Sequence, residues 1–166
     1  MQKQIKIFST LLTVLVLAVS CANTNPNDPT KETLLQQKWE YATYAGSGYN
    51  ITAQKIDDYY TDNNNEIINY SITIEEITWN ADNTSGIIYG KYTTAPSYNP
   101  SVANKYYAIS FKGLTDSAVS ICGASKQLAD GSYDSSAESL EEAKTKFTEA
   151  NGYFVFGDGS KCIAVK

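Results

Sequence analysis

The sequence predicts a mostly β domain: an antiparallel meander of about eight strands, closed into a barrel and carrying one C-terminal helix. Three observations lead there. Between Trp39 and Ala124, short apolar–polar alternations follow one another at close spacing, separated by Gly-, Asn-, Asp- and Pro-bearing turns. A single late segment, from Ser139 to Ala150, has helical periodicity with a start signal. The chain also holds 13 Tyr against 5 Phe and is only 19% charged. A sheet of that composition has weakly defended edges, and closure removes them.

The chain opens with a different kind of segment. Lys3 and Lys6 precede an almost wholly apolar run, Ile7 to Val19, then small Ser20 and Cys21. This is the layout of a secretory signal, with an apolar centre too short for a comfortable membrane span. A cysteine directly after the expected cut marks a bacterial lipoprotein, with Cys21 as the lipidated N-terminus. The alternative is an ordinary secretory signal in which Cys21 is the first of three cysteines to be paired. Ala22 to Thr30 is polar, broken by Pro26 and Pro29 and charged only at Asp28, as a tether should be. The expected organisation is therefore a signal peptide at 1–20, a flexible tether at 21–30 and one domain at 31–166. Its expected location is the bacterial cell envelope, lipid-anchored at the outer membrane, on the surface or the periplasmic face.

Lys31 to Gln37 has room for one or two helical turns. Trp39, Tyr41 and Thr43 share a face of the first strand, with a turn expected at Gly46-Ser47-Gly48. Tyr49, Ile51 and Ala53 start the second strand, and Lys55 to Tyr60 extends or follows it to the turn Asp62-Asn63-Asn64-Asn65. Tyr70, Ile72 and Ile74 point one way. Ile77 and Trp79 resume the alternation after Glu75-Glu76, where a bulge shifts the register. A polar turn at 80–85 leads to a strand from Gly86 to Thr93, then to the stiff loop Ala95 to Pro100. Tyr107, Ile109 and Phe111 alternate, and Val119 and Ile121 follow. Ser139 with Glu142 forms a capping box, with Leu140, Ala143, Phe147 and Ala150 on one face. Asn151-Gly152 is the expected stop and Tyr153 to Phe156 the last strand.

Composition removes several kinds of chemistry. The chain has no His, and its thirteen basic residues are all Lys, so a Ser-His-Asp relay, a His-ligated metal and an Arg phosphate clamp are excluded. The net charge is −5, or −7 once Lys3 and Lys6 are removed with the signal, which disfavours nucleic acid. Asp57-Asp58 and Glu75-Glu76 are adjacent acids that point to opposite faces of a strand, so neither pair makes a two-carboxylate site. Asn80-x-Asp82-x-Thr84-x-Gly86 is a polar turn, since Lys91 stands where a calcium loop needs Glu. No catalytic residue, metal site or cofactor is expected, and the protein is not expected to be an enzyme.

Two features remain. Cys122 and Cys162 can close one bridge in an exported compartment; two buried thiols are the alternative. The aromatic residues are the binding candidates: Tyr44, Tyr49, Tyr70, Trp79, Tyr98 and Tyr107 can line an apolar pocket inside the barrel or grip a partner from its loops. Inner Tyr as plain core and outer Tyr as strand formers is the competing expectation. The anticipated partners are the membrane, through the anchor, and a small apolar ligand or a host or envelope protein, bound by a monomer. A structural or host-contact lipoprotein with a filled barrel is the other expectation.

The order of parts resembles a lipocalin-type (calycin) barrel: early Trp39, a meander, a late helix, a last strand and tail Cys162. The resemblance implies that Trp39 closes the barrel base and that Cys122–Cys162 is the strand-to-tail disulfide. The family's G-x-W reads Gln37-Lys38-Trp39 here, and its Arg is missing. The stretch from Tyr106 to Ile121, with Ser139-Leu-Glu-Glu-Ala143 and Asn151-Gly-Tyr-Phe154, is also similar to small treponemal lipoproteins. That similarity implies a spirochaetal lipoprotein with no catalytic residues to carry over.

Overall fold

A computed structural model describes residues 30–166. The expected signal peptide, the lipidation site Cys21 and the tether up to residue 29 lie outside the described residues. Thr30 is the N-cap of helix α1 (Lys31–Leu35), its hydroxyl accepting the Thr33 N–H at 3.2 Å. Five residues cannot sustain a helix alone. Tertiary burial holds it: Leu35 is fully buried, and the Trp39 indole N–H donates to the Leu35 carbonyl at 3.0 Å.

Seven strands then run as an antiparallel meander: β1 (Lys38–Tyr41), β2 (Tyr44–Ile51), β3 (Lys55–Asp62), β4 (Asn65–Trp79), β5 (Gly86–Thr94), β6 (Tyr106–Lys112) and β7 (Ala118–Gly123). An excursion follows, with the small hairpin β8 (Lys126–Gln127) and β9 (Tyr133–Asp134) and then helix α2 (Leu140–Lys146). Strand β10 (Lys161–Ala164) inserts between β7 and β1 and closes an eight-stranded barrel. The turns after β2, β4 and β6 share one end with α1. The turns after β1, β3 and β5 and the excursion after β7 share the other, which we call the mouth.

The interior is divided along this axis. The closed half is aliphatic and aromatic: Trp39, Ile51, Ile56, Ile72, Ile88, Ile109, Phe111 and Ile121 are all buried. Each such side chain contributes about 1.5–3 kcal/mol on leaving water. Trp79 packs edge-on to Phe111 with ring centres 4.9 Å apart. Outside the barrel, α2 lies on β5 and β6. Its Ala143 and Phe147 are buried, and the Tyr89 hydroxyl donates to the Phe147 carbonyl at 3.5 Å.

Close approach fixes the geometry of the β1–β2 corner. A Cβ on Gly48 would stand 2.0 Å from the Trp39 carbonyl oxygen, so no other residue fits there. The Tyr59 hydroxyl reaches that same carbonyl at 3.3 Å. The expected turn at 46–48 is therefore wrong: β2 already runs from Tyr44, and the chain reverses at Ala42-Thr43. The expected register shift at Glu75 is present, since Ile74 pairs Gly90 while Glu76 pairs Tyr89.

The C-terminal region departs further from expectation. Ser139 caps α2, but Glu142 reaches the backbone N–H of Glu138, one residue before the cap. The helix ends at Lys146, and the Asn151 amide seals it by donating to the carbonyls of Thr145 and Lys146, leaving Ala150 exposed. Residues 153–156 are not a strand; the last strand is β10.

No Cys122–Cys162 disulfide forms, because both thiols are free. Cys162 pairs with Val119 and shares its inward face, whereas Cys122 follows inward Ile121 and so points outward. Its sulfur lies 3.6 Å from the Val155 carbonyl oxygen. Thiols on opposite faces of a sheet cannot be bridged without moving the backbone.

Candidate functional site

The mouth half of the barrel is built differently from the closed half. Tyr41 on β1, Tyr49 on β2, Asp58 on β3, Tyr70 on β4, Tyr92 on β5 and Tyr107 on β6 form a polar-tipped aromatic collar. Asp58 is the cross-strand partner of Tyr49 on one side and Tyr70 on the other. Tyr92 and Tyr107 stack with centres 5.0 Å apart, and Tyr70 sits edge-on to both at 5.7 Å. Tyr41 and Tyr49 make another edge-on pair at 5.7 Å. Each aromatic pair of this kind contributes about 0.5–1.5 kcal/mol beyond simple burial.

Local backbone features create this collar. After Asp58 the register of β3 against β4 shifts, so Tyr59 faces Ile68 and Asn69 is the extra residue of a β-bulge. The Asn69 amide donates to the Asp58 carboxylate at 2.8 Å. On β7, Gly123 makes room for Tyr107: a Cβ there would lie 2.2 Å from the Tyr107 hydroxyl oxygen.

Electrostatics mark Asp58 as unusual. Burial pushes its carboxyl up to about 6, against a smaller lowering by the Asn69 hydrogen bond. Its neighbour Asp57 faces outward, bonded to the Ser71 hydroxyl at 2.6 Å and to Lys55 at 2.8 Å. The two acids thus point to opposite faces, as the strand period requires. Burial raises the hydroxyls of Tyr49, Tyr70, Tyr92 and Tyr107 well above the ordinary phenol range, and the Asp58 charge adds to each. Tyr41 and Tyr98 feel the same charge after the larger effect of burial.

Above the collar lies a cavity of about 410 Å³, lined by Tyr92, Tyr107, Pro96, Tyr98, Ala124 and Tyr133 among others. That volume lies within the usual range for small-molecule sites, roughly 300–1,000 Å³. A second cleft of about 360 Å³ includes Asn69, Thr94, Ala95 and Ser97, so the Ala95–Asn99 loop stands between the two.

The predicted binding residues divide accordingly. Tyr49, Tyr70 and Tyr107 belong to the collar, and Tyr98 stands exposed at its rim. Tyr44 is an exposed residue at the mouth end of β2 that neither cleft includes. Trp79 is at the opposite end against Phe111, with the Lys31 ammonium 4.8 Å above its ring, so it is no part of this site. Asp58, Asn69, Tyr41 and Tyr92 were missed; the alternation of Asp57 and Asp58 with the strand period was the available signal.

Elsewhere, Asp82 accepts the backbone N–H groups of Thr84 and Ser85, which makes 80–85 a self-bonded turn. Among the described residues, no group of three His, Cys, Asp or Glu is placed to hold a metal. Among the described residues no helix is long and apolar enough to cross a membrane. Comparison with known protein families, curated proteins and solved structures finds no match to this chain.

Proposed function

We propose that this protein is an envelope-anchored binding module, held by a lipid on Cys21, that takes a small ligand at the mouth of its barrel. The mouth cavity, floored by Tyr92 and Tyr107, is the observation that carries the reading. The closed half of the barrel is filled with side chains, so the ligand sits across the mouth and not deep inside. The absence of His and Arg from the sequence, and the opposed faces of Asp57 and Asp58, favour binding over catalysis. Tyr98 and Tyr133, both exposed and both lining the cavity, also supply the adaptable rim that a protein partner would use, which keeps the host- or envelope-contact reading as the second choice.

Native mass spectrometry of the full-length protein, released from bacterial membranes in detergent, tests the first reading. A small co-purifying mass is expected in the wild type and is expected to be lost when Tyr107 is replaced by Ala. A protein always found bare would overturn it. The anchor is tested by labelled palmitate, which should enter the wild type and not Cys21→Ala; equal labelling would refute lipidation.

A further inference from the structure

We infer that the ligand of the mouth site is an organic cation, an amine or quaternary ammonium whose charge meets Asp58 and whose carbon groups lie against the tyrosine collar. This inference rests on the mouth being a ligand site and adds the chemistry of what enters it.

The first argument is the missing counter-charge. Outward-facing Asp57 is matched by Lys55 at 2.8 Å, and half-buried Asp134 and Glu76 are matched by Lys146 at 2.7 Å and Lys144 at 3.0 Å, while half-buried Glu32 and Glu40, which lie away from the collar, have no lysine partner. Among the described residues, no lysine comes within ion-pair distance of Asp58, whose hydrogen-bond partner is the neutral Asn69 amide. A half-buried carboxylate with a neutral partner keeps part of its desolvation cost uncompensated, and an arriving cation offsets it.

The second argument is the surroundings. Asp58 keeps part of its surface open although Tyr49 and Tyr70 beside it are nearly sealed. Asp58 lines neither mouth cleft itself; its Asn69 partner lines one, and the collar residues Tyr92 and Tyr107, with Tyr98, line the other. Rings around a cation supply face-on attraction of about 0.5–2 kcal/mol each when solvent is excluded. An apolar ligand would use the rings but leave the carboxylate more deeply desolvated than before. An anion would meet it directly. The acidic chain, net −5, favours arrival of a cation over both.

The third argument is the bulge. It places Asn69 where its amide orients Asp58, and this makes the carboxylate a fixed acceptor in place of a mobile surface acid.

The test uses the full-length protein in non-ionic detergent and three soluble probes of one size: phenethylammonium, neutral 2-phenylethanol and phenylacetate. Calorimetric titration should show saturable binding of phenethylammonium, at least about tenfold tighter than the alcohol, with phenylacetate weakest. Asp58→Asn, which keeps the side-chain shape and the bond from Asn69, should weaken the cation at least about tenfold and erase its advantage over the alcohol, which should bind the variant no more weakly than the wild type. Affinity for the cation should also rise as the pH passes through about 6 and then level off. The groups facing Asp58 from β1, β2, β4, β5, β6 and the 95–99 loop are Tyr41, Tyr49, Tyr70, Tyr92, Tyr107 and Tyr98, which burial keeps neutral there. Equal or better binding of the alcohol would overturn the cation and leave the mouth as a ligand site. Binding of none of the probes, together with a bare protein in native mass spectrometry, would remove both.

Discussion

Replacing Asp58 with Asn should make the protein more stable at neutral and alkaline pH, and only there. In the folded chain the Asp58 carboxyl sits up to about 6, raised by burial from an ordinary value of 3.8. The folded state therefore holds the Asp58 proton more tightly than the unfolded state does. Below about pH 4 both states are protonated, and the site favours neither. Between about 4 and 6 the unfolded chain ionises first, and stability falls. Above about 6 the loss is complete and constant. A shift of about two units corresponds to roughly 3 kcal/mol at about 1.4 kcal/mol per unit, and solvent reaching the carboxylate at the mouth reduces this to about 1–3 kcal/mol. Asn has no charge to bury, and its carbonyl oxygen can still accept the Asn69 amide. The assay is urea unfolding of wild type and Asp58→Asn, followed by circular dichroism, at pH 4 and pH 8. Other titrating groups are common to both proteins and cancel in the difference. A variant that is less stable at pH 8, or a difference that does not change with pH, would show that Asp58 is not a desolvated acid and that the collar is more open than described.

Three further outcomes follow from the packing. Gly123→Ala should cost about 1–3 kcal/mol through overpacking, because its methyl would displace the Tyr107 hydroxyl 2.2 Å away; an unchanged melting temperature would show that Tyr107 does not lie over β7. Trp39→Phe should cost about 1–3 kcal/mol, since it removes the 3.0 Å bond to the Leu35 carbonyl and leaves space in a fully buried site; calorimetry showing no loss would mean that α1 does not seal the closed end. In a thiol titration of the native protein Cys162 should stay unreactive until unfolding, because burial pushes its thiol up to about 12, while half-buried Cys122 should react slowly. Intact mass showing two hydrogens fewer would instead restore the disulfide.

Much of the barrel was legible because strand alternation is local. Tyr70, Ile72 and Ile74, or Tyr107, Ile109 and Phe111, declare their face without reference to any neighbour. The register shift at Glu75 was legible for the same reason. Strand β10 was not: it has four residues, with only Cys162 buried, and it exists because β7 and β1 leave a gap that it fills. The cysteine pairing failed on parity. Sequence spacing allowed a bridge, but which face each thiol takes depends on the β7–β10 register. Asp58 shows the same limit within the site. Its alternation with Asp57 was visible, while its place inside depends on a bulge at Asn69 and on closure of the sheet. Local patterns assign faces; distant pairings decide which face becomes the interior.

Helix α1 has a consequence for geometry at the scale of a membrane. It brings the chain into the barrel at the end opposite the tyrosine collar, and β10 runs back toward that same end. The point at which the chain enters the described domain, Thr30, is therefore at the plugged base. If Cys21 carries the lipid proposed for it, the anchor joins the molecule at its plugged base and leaves the opening unobstructed. Solutes would then reach the opening at the end of the barrel opposite the point of attachment. A collar that holds an uncompensated negative charge would sample the dissolved cations of that compartment, with no route for lipid tails to slide in from below.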